Sequence, residues 1–247
     1  MSTSHIGFIT FVAAAVMGTF SACAPENVSV TPGQSCRIAD DQKSSFMAPI
    51  DEPIVEVVLD NRFTNYEKAS IEATVQQWNS TAEKLGRAPF FHSSVALIPQ
   101  KVRTADPRNC KESIGGTTRF YVVKETDEAK WTDLGFNEMI PGATVRCTSG
   151  TQLIQQVIFM NPTLVEPEQF ATVALHEFGH TLGLDHSCIE GAGRPDYAGC
   201  AKLSENHPYR IAVMYPTITR ASTSSTAETR DSVRRNDAQR TQCLYTK

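Results

Sequence analysis

The sequence predicts an α+β fold, and three observations indicate it. Runs of β-branched residues and two long helical patterns alternate irregularly, unlike the repeated strand–helix–strand units of a parallel α/β protein. Their order is strand, helix, several strands, helix, an irregular stretch and a last helix. The chain of 247 residues is long enough for one large domain or two small ones and can bury a core, and its hydrophobic content of 40% is ordinary for a globular protein. We expect a mixed, twisted sheet with a backing helix, followed by a small irregular C-terminal subdomain that ends in a helix.

The first predicted strand and helix lie between residues 53 and 86. PIVEVVLD (53–60) is rich in β-branched residues, which is typical of a strand. Thr64 and Glu67 then form the T-x-x-E pattern of a capping box at a helix start. Apolar residues at steps of four and three predict one buried face on a helix of about six turns. These residues are Ile71, Val75, Trp78, Ala82 and Leu85, and Gly86 marks the end.

The remaining elements follow from shorter patterns. Further strands are predicted at FFHSSVALI (90–98), RFYVVK (119–124) and LIQQVIFMN (153–161). A second long helix is predicted to begin near Glu166-Pro167-Glu168 and to stop at Gly183, because proline and acidic residues favour a helix start. Residues 187–210 are rich in turn-forming residues, and a Ser/Thr tract at 222–226 leads into a final polar helix.

The N-terminus has the composition of an export signal. Residues 1–22 contain no Asp, Glu, Lys or Arg, and the mostly apolar run from Ile6 to Phe20 is shorter than the roughly 20 residues of a membrane span. FSAC, ending at Cys23, resembles a bacterial lipoprotein box. We therefore expect a lipoprotein-type signal peptide (1–22) and lipidation of Cys23. The protein would be anchored in a bacterial cell envelope or at the cell surface, or otherwise secreted. A positively charged leader is absent, so an uncleaved membrane anchor is the alternative.

The cysteine count agrees with an oxidising compartment. Without Cys23, six cysteines remain, an even number that allows three disulfides in 15 pairings. The pair expected first is Cys188–Cys200, because it closes a short loop that contains glycine and proline. The alternative is that several of the cysteines are free buried thiols. The candidates are Cys36, Cys110, Cys147, Cys188, Cys200 and Cys243.

HEFGHTLGLDHS (176–187) carries the chemistry of this sequence. His176 and His180 are four residues apart on the second long helix, so both side chains can reach one metal ion. Glu177 is placed to face a water on that ion without being a ligand. If the helix continued, His186 would lie about 15 Å beyond His176 along the helix axis. A turn at Gly183, which can take positive φ, would bring His186 back as the third ligand.

The H-E-x-x-H-x-x-G-x-x-H pattern resembles the zinc motif of the metzincin metalloproteases. Ser187, after the third histidine, narrows the resemblance to the matrixin-like branch. Ala212-Val213-Met214-Tyr215-Pro216 resembles the Met-turn, the methionine-bearing loop beneath the metal in that clan. GATVRC and GTQLIQQVIFMN resemble the stretch that leads into the family's edge strand, and NDAQRTQCLY resembles the matrixin C-terminal helix. The resemblance covers roughly residues 53–247.

The resemblance implies a zinc endopeptidase. It places one catalytic Zn²⁺ on His176, His180 and His186, with Glu177 as the general base. Gly183 and the Met-turn residues Met214, Tyr215 and Pro216 would support the site. After the tether or N-terminal extension (23–52), the catalytic domain (53–247) would divide into upper (53–183) and lower (184–247) subdomains around the active-site helix. A protein or peptide substrate would lie extended along an edge strand, against the strand that ends near Phe159, and the protein would be a monomer.

Other functions and ligands are less well supported by the sequence. The net charge of −4 and the lack of a basic block argue against nucleic acid as a partner, and membrane contact is expected only through the lipid anchor. The cysteine-switch motif of vertebrate matrixins is absent, and His92 is too little for a second zinc site. Calcium is left open, without assigned ligands. The alternative function is a non-catalytic zinc-binding surface lipoprotein, either a pseudo-protease or an adhesion module.

Overall fold

The computed structural model describes residues 36, 38–51, 54–98, 118–149, 152–218 and 228–245. This part of the chain contains a five-stranded mixed sheet, a two-stranded hairpin and four α-helices, which confirms the predicted α+β class. The main sheet consists of β1 (Glu56–Leu59), β2 (Ala96–Leu97), β3 (Arg119–Lys124), β4 (Gly142–Ser149) and β5 (Gln152–Met160), and the hairpin of β6 (Gly193–Arg194) and β7 (Tyr197–Ala198). The helices are α1 (Asn65–Lys84), α2 (Glu128–Asp133), α3 (Phe170–Thr181) and α4 (Arg235–Tyr245), with 3-10 turns at Asp40–Gln42, Pro162–Leu164, Pro167–Gln169 and Cys200–Lys202.

The order of the strands in the main sheet is β2-β1-β3-β5-β4. β2, β1, β3 and β5 run parallel, and β4 is antiparallel to β5. This order corrects the expected position of the substrate edge, because the strand ending near Phe159 is β5, which has partners on both sides. Within the described residues, the strand next to β5 at the end of the sheet is β4, and its outer edge has no partner strand. Its threonines give it the polar composition of an edge strand, and the guanidinium of Arg146 donates a hydrogen bond to the carbonyl of Ala48.

Helix α1 forms as the sequence predicts. The side chain of Thr64 accepts a hydrogen bond from the amide of Glu67, and the Glu67 carboxylate accepts one from the amide of Thr64 at 2.6 Å. The capping box therefore satisfies two amides that the first helical turn leaves without partners. All five predicted apolar residues on its inner face are buried, and Gly86 follows with φ of 72°.

Helix α3 packs against α1 on the same face of the sheet. It begins at Phe170, directly after a 3-10 turn that starts with Pro167, close to the predicted start. The indole nitrogen of Trp78 in α1 donates a hydrogen bond to the carbonyl of Leu175 at 3.1 Å. The fully buried ring of Phe178 lies between the helices and the sheet. These contacts fix the helix that carries the first two histidines to the core.

Several elements differ from the sequence-based expectations. The strand expected over residues 90–98 is reduced to a bridge between Phe91 and Val55 and the two residues of β2. The polar stretch His92-Ser93-Ser94 interrupts it because these side chains are exposed and leave that part of the strand without an apolar face to bury. Helix α2 and the β6–β7 hairpin were not expected, since both are shorter than the windows in which periodicity can be recognised.

Residues 38–50, which we call the strap, lie against the domain. The sequence predicts a tether or N-terminal extension over residues 23–52, but this segment packs into the domain, because Ile50 belongs to the main core cluster and Phe46 packs against it. Gln42 and Ser45 are almost fully buried and hydrogen-bonded. Polar composition indicated exposure here, but hydrogen bonds to distant groups allow these side chains to be buried.

One disulfide joins the two ends of the described chain, and another closes part of the irregular loop. The expected Cys188–Cys200 pair is confirmed, and Cys36 pairs with Cys243 across 207 residues. Cys147 is also disulfide-bonded, which argues against free thiols at these five positions. The signal segment 1–22, Cys23, Cys110 and the 222–226 tract lie outside the described residues. No helix in the described ranges is long and apolar enough to cross a membrane.

We predict that Thr64→Ala lowers the free energy of unfolding by about 1 kcal/mol, because the Glu67 amide loses its acceptor at the helix start. Thr64→Ser keeps a hydroxyl in the same place and is the matched control, with little change expected. Urea denaturation of the three proteins measures the difference. Equal stability of Thr64→Ala and the unaltered chain would contradict the contribution of the cap.

Candidate metal centre

Three histidines converge where α3 ends. The potential ligand atoms of His176, His180 and His186 all lie within 4.8 Å of one another. The centroids of their rings are separated by 4.7, 5.3 and 5.0 Å. His176 is buried, and the other two are half-buried. Two of the rings come from successive turns of one helix, and the third comes from the chain beyond it.

The turn at Gly183 returns the chain to the helix. Gly183 has φ of 93°, and the amide of Leu184 donates a hydrogen bond back to the carbonyl of Gly179 at 3.1 Å. A Cβ atom at Gly183 would lie 2.8 Å from the carbonyl oxygen of Ala48 in the strap. Both the positive φ and the close approach of this backbone therefore favour glycine. The expected reversal before His186 is present.

Backbone carbonyls orient the first two imidazoles. Nδ1 of His176 lies 2.8 Å from the carbonyl oxygen of Val213, and Nδ1 of His180 lies 2.8 Å from that of Leu184. Because a carbonyl can only accept, we assign the proton to Nδ1 in both rings. Their Nε2 lone pairs are then directed to the shared centre, as is usual for metal-bound histidine.

Burial keeps the three imidazoles neutral. It lowers the pKa of His176 well below its usual value, with further lowering by the neighbouring His180 and His186. Burial and the charge of His186 lower the pKa of His180 to about 3, and burial also lowers the pKa of His186. A neutral imidazole has a free lone pair, so the group is ready to bind a cation without first losing protons.

Glu177 follows His176 on α3, and its buried side chain lies against strand β4. The hydroxyl of Thr144 donates a hydrogen bond to Oε2 of Glu177 at 2.8 Å and also contacts its backbone carbonyl. Burial raises the pKa of Glu177 to about 7, and the hydrogen bonds with Thr144 oppose this shift. Gly142 leaves room for the carboxyl, since a Cβ atom there would lie 3.0 Å from the Cγ of Glu177. A carboxyl in this state can both accept and return a proton near neutral pH.

Met214 lies beneath the helix that carries the histidines. It is fully buried, and its sulfur lies 2.2 Å from where a Cβ atom of Gly179 would be. Only glycine at this helical position lets the methionine approach so closely. The turn around it is closed by a hydrogen bond from the Tyr215 amide to the Ala212 carbonyl at 3.2 Å, and Pro216 follows it half-buried. The Met-turn segment therefore packs directly against α3 at Gly179, and Val213 and Met214 belong to the main core cluster.

Asp237 in α4 holds this turn in place. Its carboxylate accepts hydrogen bonds from the amides of Val213 at 2.9 Å, Met214 at 3.1 Å and Arg234 at 3.1 Å. Because the carbonyl of Val213 in turn orients the ring of His176, the fully buried Asp237 acts on that imidazole through one residue. Burial raises the pKa of Asp237, and the hydrogen bonds from the amides oppose this shift.

Ser187 connects the third histidine to the same turn. Its amide donates a hydrogen bond to the carbonyl of Met214 at 2.7 Å, and its hydroxyl donates one to the carbonyl of Tyr209 at 2.6 Å. The hydroxyl of Tyr197, in the β6–β7 hairpin, donates to the carbonyl of His186 at 2.8 Å. The irregular loop that follows the motif therefore helps to shape the site.

Sequence reasoning missed several of these supporting residues. Gly179 carried a signal, since a glycine inside a helical pattern often marks a close contact. Thr144 and Gly142 carried none, because β4 meets α3 only through the tertiary fold. Asp237 carried none either, because it acts on amides 23 and 24 residues earlier in the chain.

The other candidate ligands lie elsewhere. His92 is exposed, and Nδ1 of His207 accepts a hydrogen bond from the amide of Tyr209 at 3.2 Å. Cys36 is bonded to Cys243 and is not a free thiol. Among the described residues, the three histidines are the one group of three or more His, Cys, Asp or Glu residues arranged to hold a metal.

Comparison with known proteins gives weak similarities. No family model and no curated protein matches the chain. The hatching enzyme zinc-protease HCE-1 (high choriolytic enzyme 1) from the medaka fish Oryzias latipes is 15% identical, with 86% of this chain and 98% of that chain covered and a TM-score of 0.36. Two structures of myroilysin are each 13% identical. The first covers 81% of this chain and 98% of that one at a TM-score of 0.32, and the second 90% and 93% at 0.35. Similarity at this level carries no functional argument.

We predict that Gly183→Ala destabilises the metal-free protein more than Gly135→Ala does. Both glycines have positive φ, but nothing lies within 4 Å of a Cβ atom at Gly135. Gly135→Ala should therefore cost about 1–2 kcal/mol for the backbone alone. Gly183→Ala should cost about 1–3 kcal/mol more, because the methyl group meets the carbonyl of Ala48. Urea denaturation gives both values, and equal losses would show that the contact with the strap is unimportant.

Proposed function

We propose that this protein is a zinc-dependent endopeptidase of the metzincin type. The observation that carries the proposal is the convergence of His176, His180 and His186 on one centre, with the buried Glu177 directly after the first of them in the chain. Three neutral imidazoles point to one centre, and a buried carboxyl with a pKa of about 7 lies next to the first of them. The sequence motif and the geometry therefore support the same chemistry by separate arguments.

The donor set fits Zn²⁺. Imidazole nitrogen is a common zinc ligand at about 2.0–2.1 Å, and catalytic zinc usually has three protein ligands with one open position. Within the described residues, no fourth His, Cys, Asp or Glu joins the group. This number of ligands supports an open site, because structural zinc sites are usually closed by a fourth protein ligand. Calcium stays unassigned.

In the proposed mechanism, His176, His180 and His186 would hold a zinc ion, which would supply a water of lowered pKa and polarise the carbonyl of the scissile peptide bond. Glu177 takes the proton from that water and passes it to the leaving amine. The hydroxyl of Thr144 occupies Oε2, so Oε1, which has no hydrogen-bond partner among the described residues, is the atom that accepts the proton. His176 and His180 keep their orientation through the carbonyls of Val213 and Leu184.

The free edge of β4 is the proposed binding surface for the substrate. An extended peptide can add to an exposed strand through main-chain hydrogen bonds, without requiring a particular side-chain sequence. Thr144, which contacts Glu177, belongs to this strand. A peptide along β4 would therefore pass beside the carboxyl that receives the proton. The substrate would be a protein or peptide, and the enzyme would act as a monomer.

The proposed location is outside the cytoplasm. Disulfides form and persist in oxidising compartments, and Cys36–Cys243 and Cys188–Cys200 are both present. We propose that the protein is exported, with the lipoprotein-like sequence around Cys23 providing an anchor to a cell envelope. The alternative of a non-catalytic zinc-binding surface protein is less favoured, because a structural site has no need for Glu177.

We predict that Glu177→Ala leaves zinc binding intact and lowers peptide hydrolysis by at least ~10²-fold, the lower end for loss of a general base. Glu177→Gln keeps the side-chain volume and should lose activity to a similar extent. Glu168→Ala, which removes an exposed carboxylate before α3, is the matched control and should retain activity. Zinc content and cleavage of an unfolded protein are measured in parallel. Full activity of Glu177→Ala would refute the mechanism.

Removal of the metal should abolish cleavage and lower the melting temperature. Because Zn²⁺ binds the folded state, free zinc at about 100 times its Kd should stabilise the protein by about 2.7 kcal/mol. Dialysis against a chelator, followed by a zinc titration with cleavage and thermal unfolding as readouts, tests this. Cleavage that persists in metal-free protein would exclude a zinc peptidase, and restored stability without cleavage would favour the non-catalytic alternative.

A further inference from the structure

Among the described residues, the imidazole of the third histidine lacks the hydrogen bonds that orient the imidazoles of the other two. His176 and His180 each have a hydrogen bond from Nδ1 to a backbone carbonyl. No described residue forms a hydrogen bond with the ring of His186, and His186 lies beyond the end of α3. Its position therefore depends on how the backbone around it is held.

The strap holds one side of that backbone. The amide of Met47 donates to the carbonyl of Gly183 at 2.7 Å, and the amide of Asp185 donates to the carbonyl of Ser45 at 3.1 Å. The side chain of Gln42 donates to the carbonyl of Ser187 at 2.8 Å. Through these hydrogen bonds, the strap pairs with residues 183–187 in the antiparallel direction, as two short strands would.

Arg240 in α4 joins the strap to the His186 backbone. Its guanidinium donates to the carbonyls of Asp185 at 2.5 Å and His186 at 3.1 Å, and to the carbonyl of Ser45 at 2.6 Å. Nε of Arg240 donates to the hydroxyl of Ser45 at 3.0 Å. Both Arg240 and Ser45 have no exposed surface.

The chemistry of arginine suits this role. A planar guanidinium has five N–H donors in fixed directions and can bind several carbonyls at once, whereas the ammonium group of lysine is compact and strongly hydrated. In the described residues, Nη2 of Arg240 donates to the three backbone carbonyls and Nε donates to the hydroxyl of Ser45, whereas the buried Nη1 has no hydrogen-bond partner. The strap is further joined to α4 by the Cys36–Cys243 disulfide.

We propose that Arg240 is a positioning residue for the third metal ligand. It holds the carbonyls of Asp185 and His186 and thereby sets the position of the His186 imidazole before metal binds. Ser45 in the strap fixes the guanidinium in turn. The proposal rests on the proposed metal site, but it concerns a residue 54 positions away in the chain from that ligand.

The test compares Zn²⁺ affinity among folded variants by competition with a chromogenic chelator. Arg240→Met should weaken Zn²⁺ binding by roughly 10–100-fold, as is typical when a group that supports a metal ligand is removed. Arg240→Lys should recover part of the affinity. Arg62→Met, which removes a partly buried guanidinium paired with Asp60 away from the site, is the matched control for general loss of stability. Its Zn²⁺ affinity should be unchanged.

A second readout uses the metal-free protein. Hydrogen exchange at the amides of Asp185 and Ser187 should become faster in Arg240→Met, because the carbonyl of Asp185 loses its guanidinium donor and the carbonyl of His186 keeps only the hydroxyl of Tyr197. Unchanged Zn²⁺ affinity and unchanged exchange in folded Arg240→Met would overturn the proposal. If that variant does not fold, Ser45→Ala and Arg240→Lys carry the test, and affinities equal to that of the unaltered protein overturn it equally.

Failure of the proposed function gives a different result. If the unaltered protein binds no Zn²⁺ or cleaves no peptide, the zinc peptidase proposal fails. In that case, faster exchange in metal-free Arg240→Met still reports on the positioning of the His186 backbone. If the unaltered protein binds zinc and Arg240→Met binds it equally well, only the role of Arg240 is refuted.

Discussion

The candidate site depends on the reversal of the chain at Gly183. One helix can present two imidazoles, four residues apart, to a common centre, but a third from the same helix would lie too far along its axis. The positive φ of Gly183 ends α3 and sends the chain back, so that His186 meets His176 and His180. The reversal also places a carbonyl opposite Nδ1 of His180. One backbone conformation therefore both supplies a ligand and orients another.

Buried polar side chains stabilise the region beyond this turn. Among the described residues between 184 and 234, the regular structure is limited to a hairpin of two two-residue strands and a 3-10 turn. Its amides and carbonyls therefore need partners that helices and sheets would otherwise provide. Asp237 accepts from the amides of the Met-turn, and Arg240 donates to the carbonyls beside His186. Helix α4 thus provides a hydrogen-bond acceptor to the Met-turn and a hydrogen-bond donor to the segment around His186.

The sequence predicted the parts of this arrangement that depend on local patterns. The capping box, the buried face of α1, the start of α3 and the turn at Gly183 each depend on residues within a few positions of one another. Contacts between distant segments were not predictable in this way. The burial of the strap depends on hydrogen bonds that Gln42 and Ser45 make with residues about 145 and 195 positions later. The contact of Thr144 with Glu177 depends on the position of β4 at the edge of the sheet. From the sequence alone, that edge position was assigned to another strand.

Helix α4 is the last helix of the described chain, which has a consequence for the order in which the site can assemble during synthesis. All three histidines, Glu177 and Met214 are translated before Asp237 and Arg240. Until α4 has been made and has docked, the Met-turn amides and the carbonyls beside His186 lack their buried partners. A nascent chain therefore contains the complete ligand motif without the frame that fixes it. For the proposed peptidase, this dependence on a late helix would delay cleavage of neighbouring proteins until the whole molecule has folded.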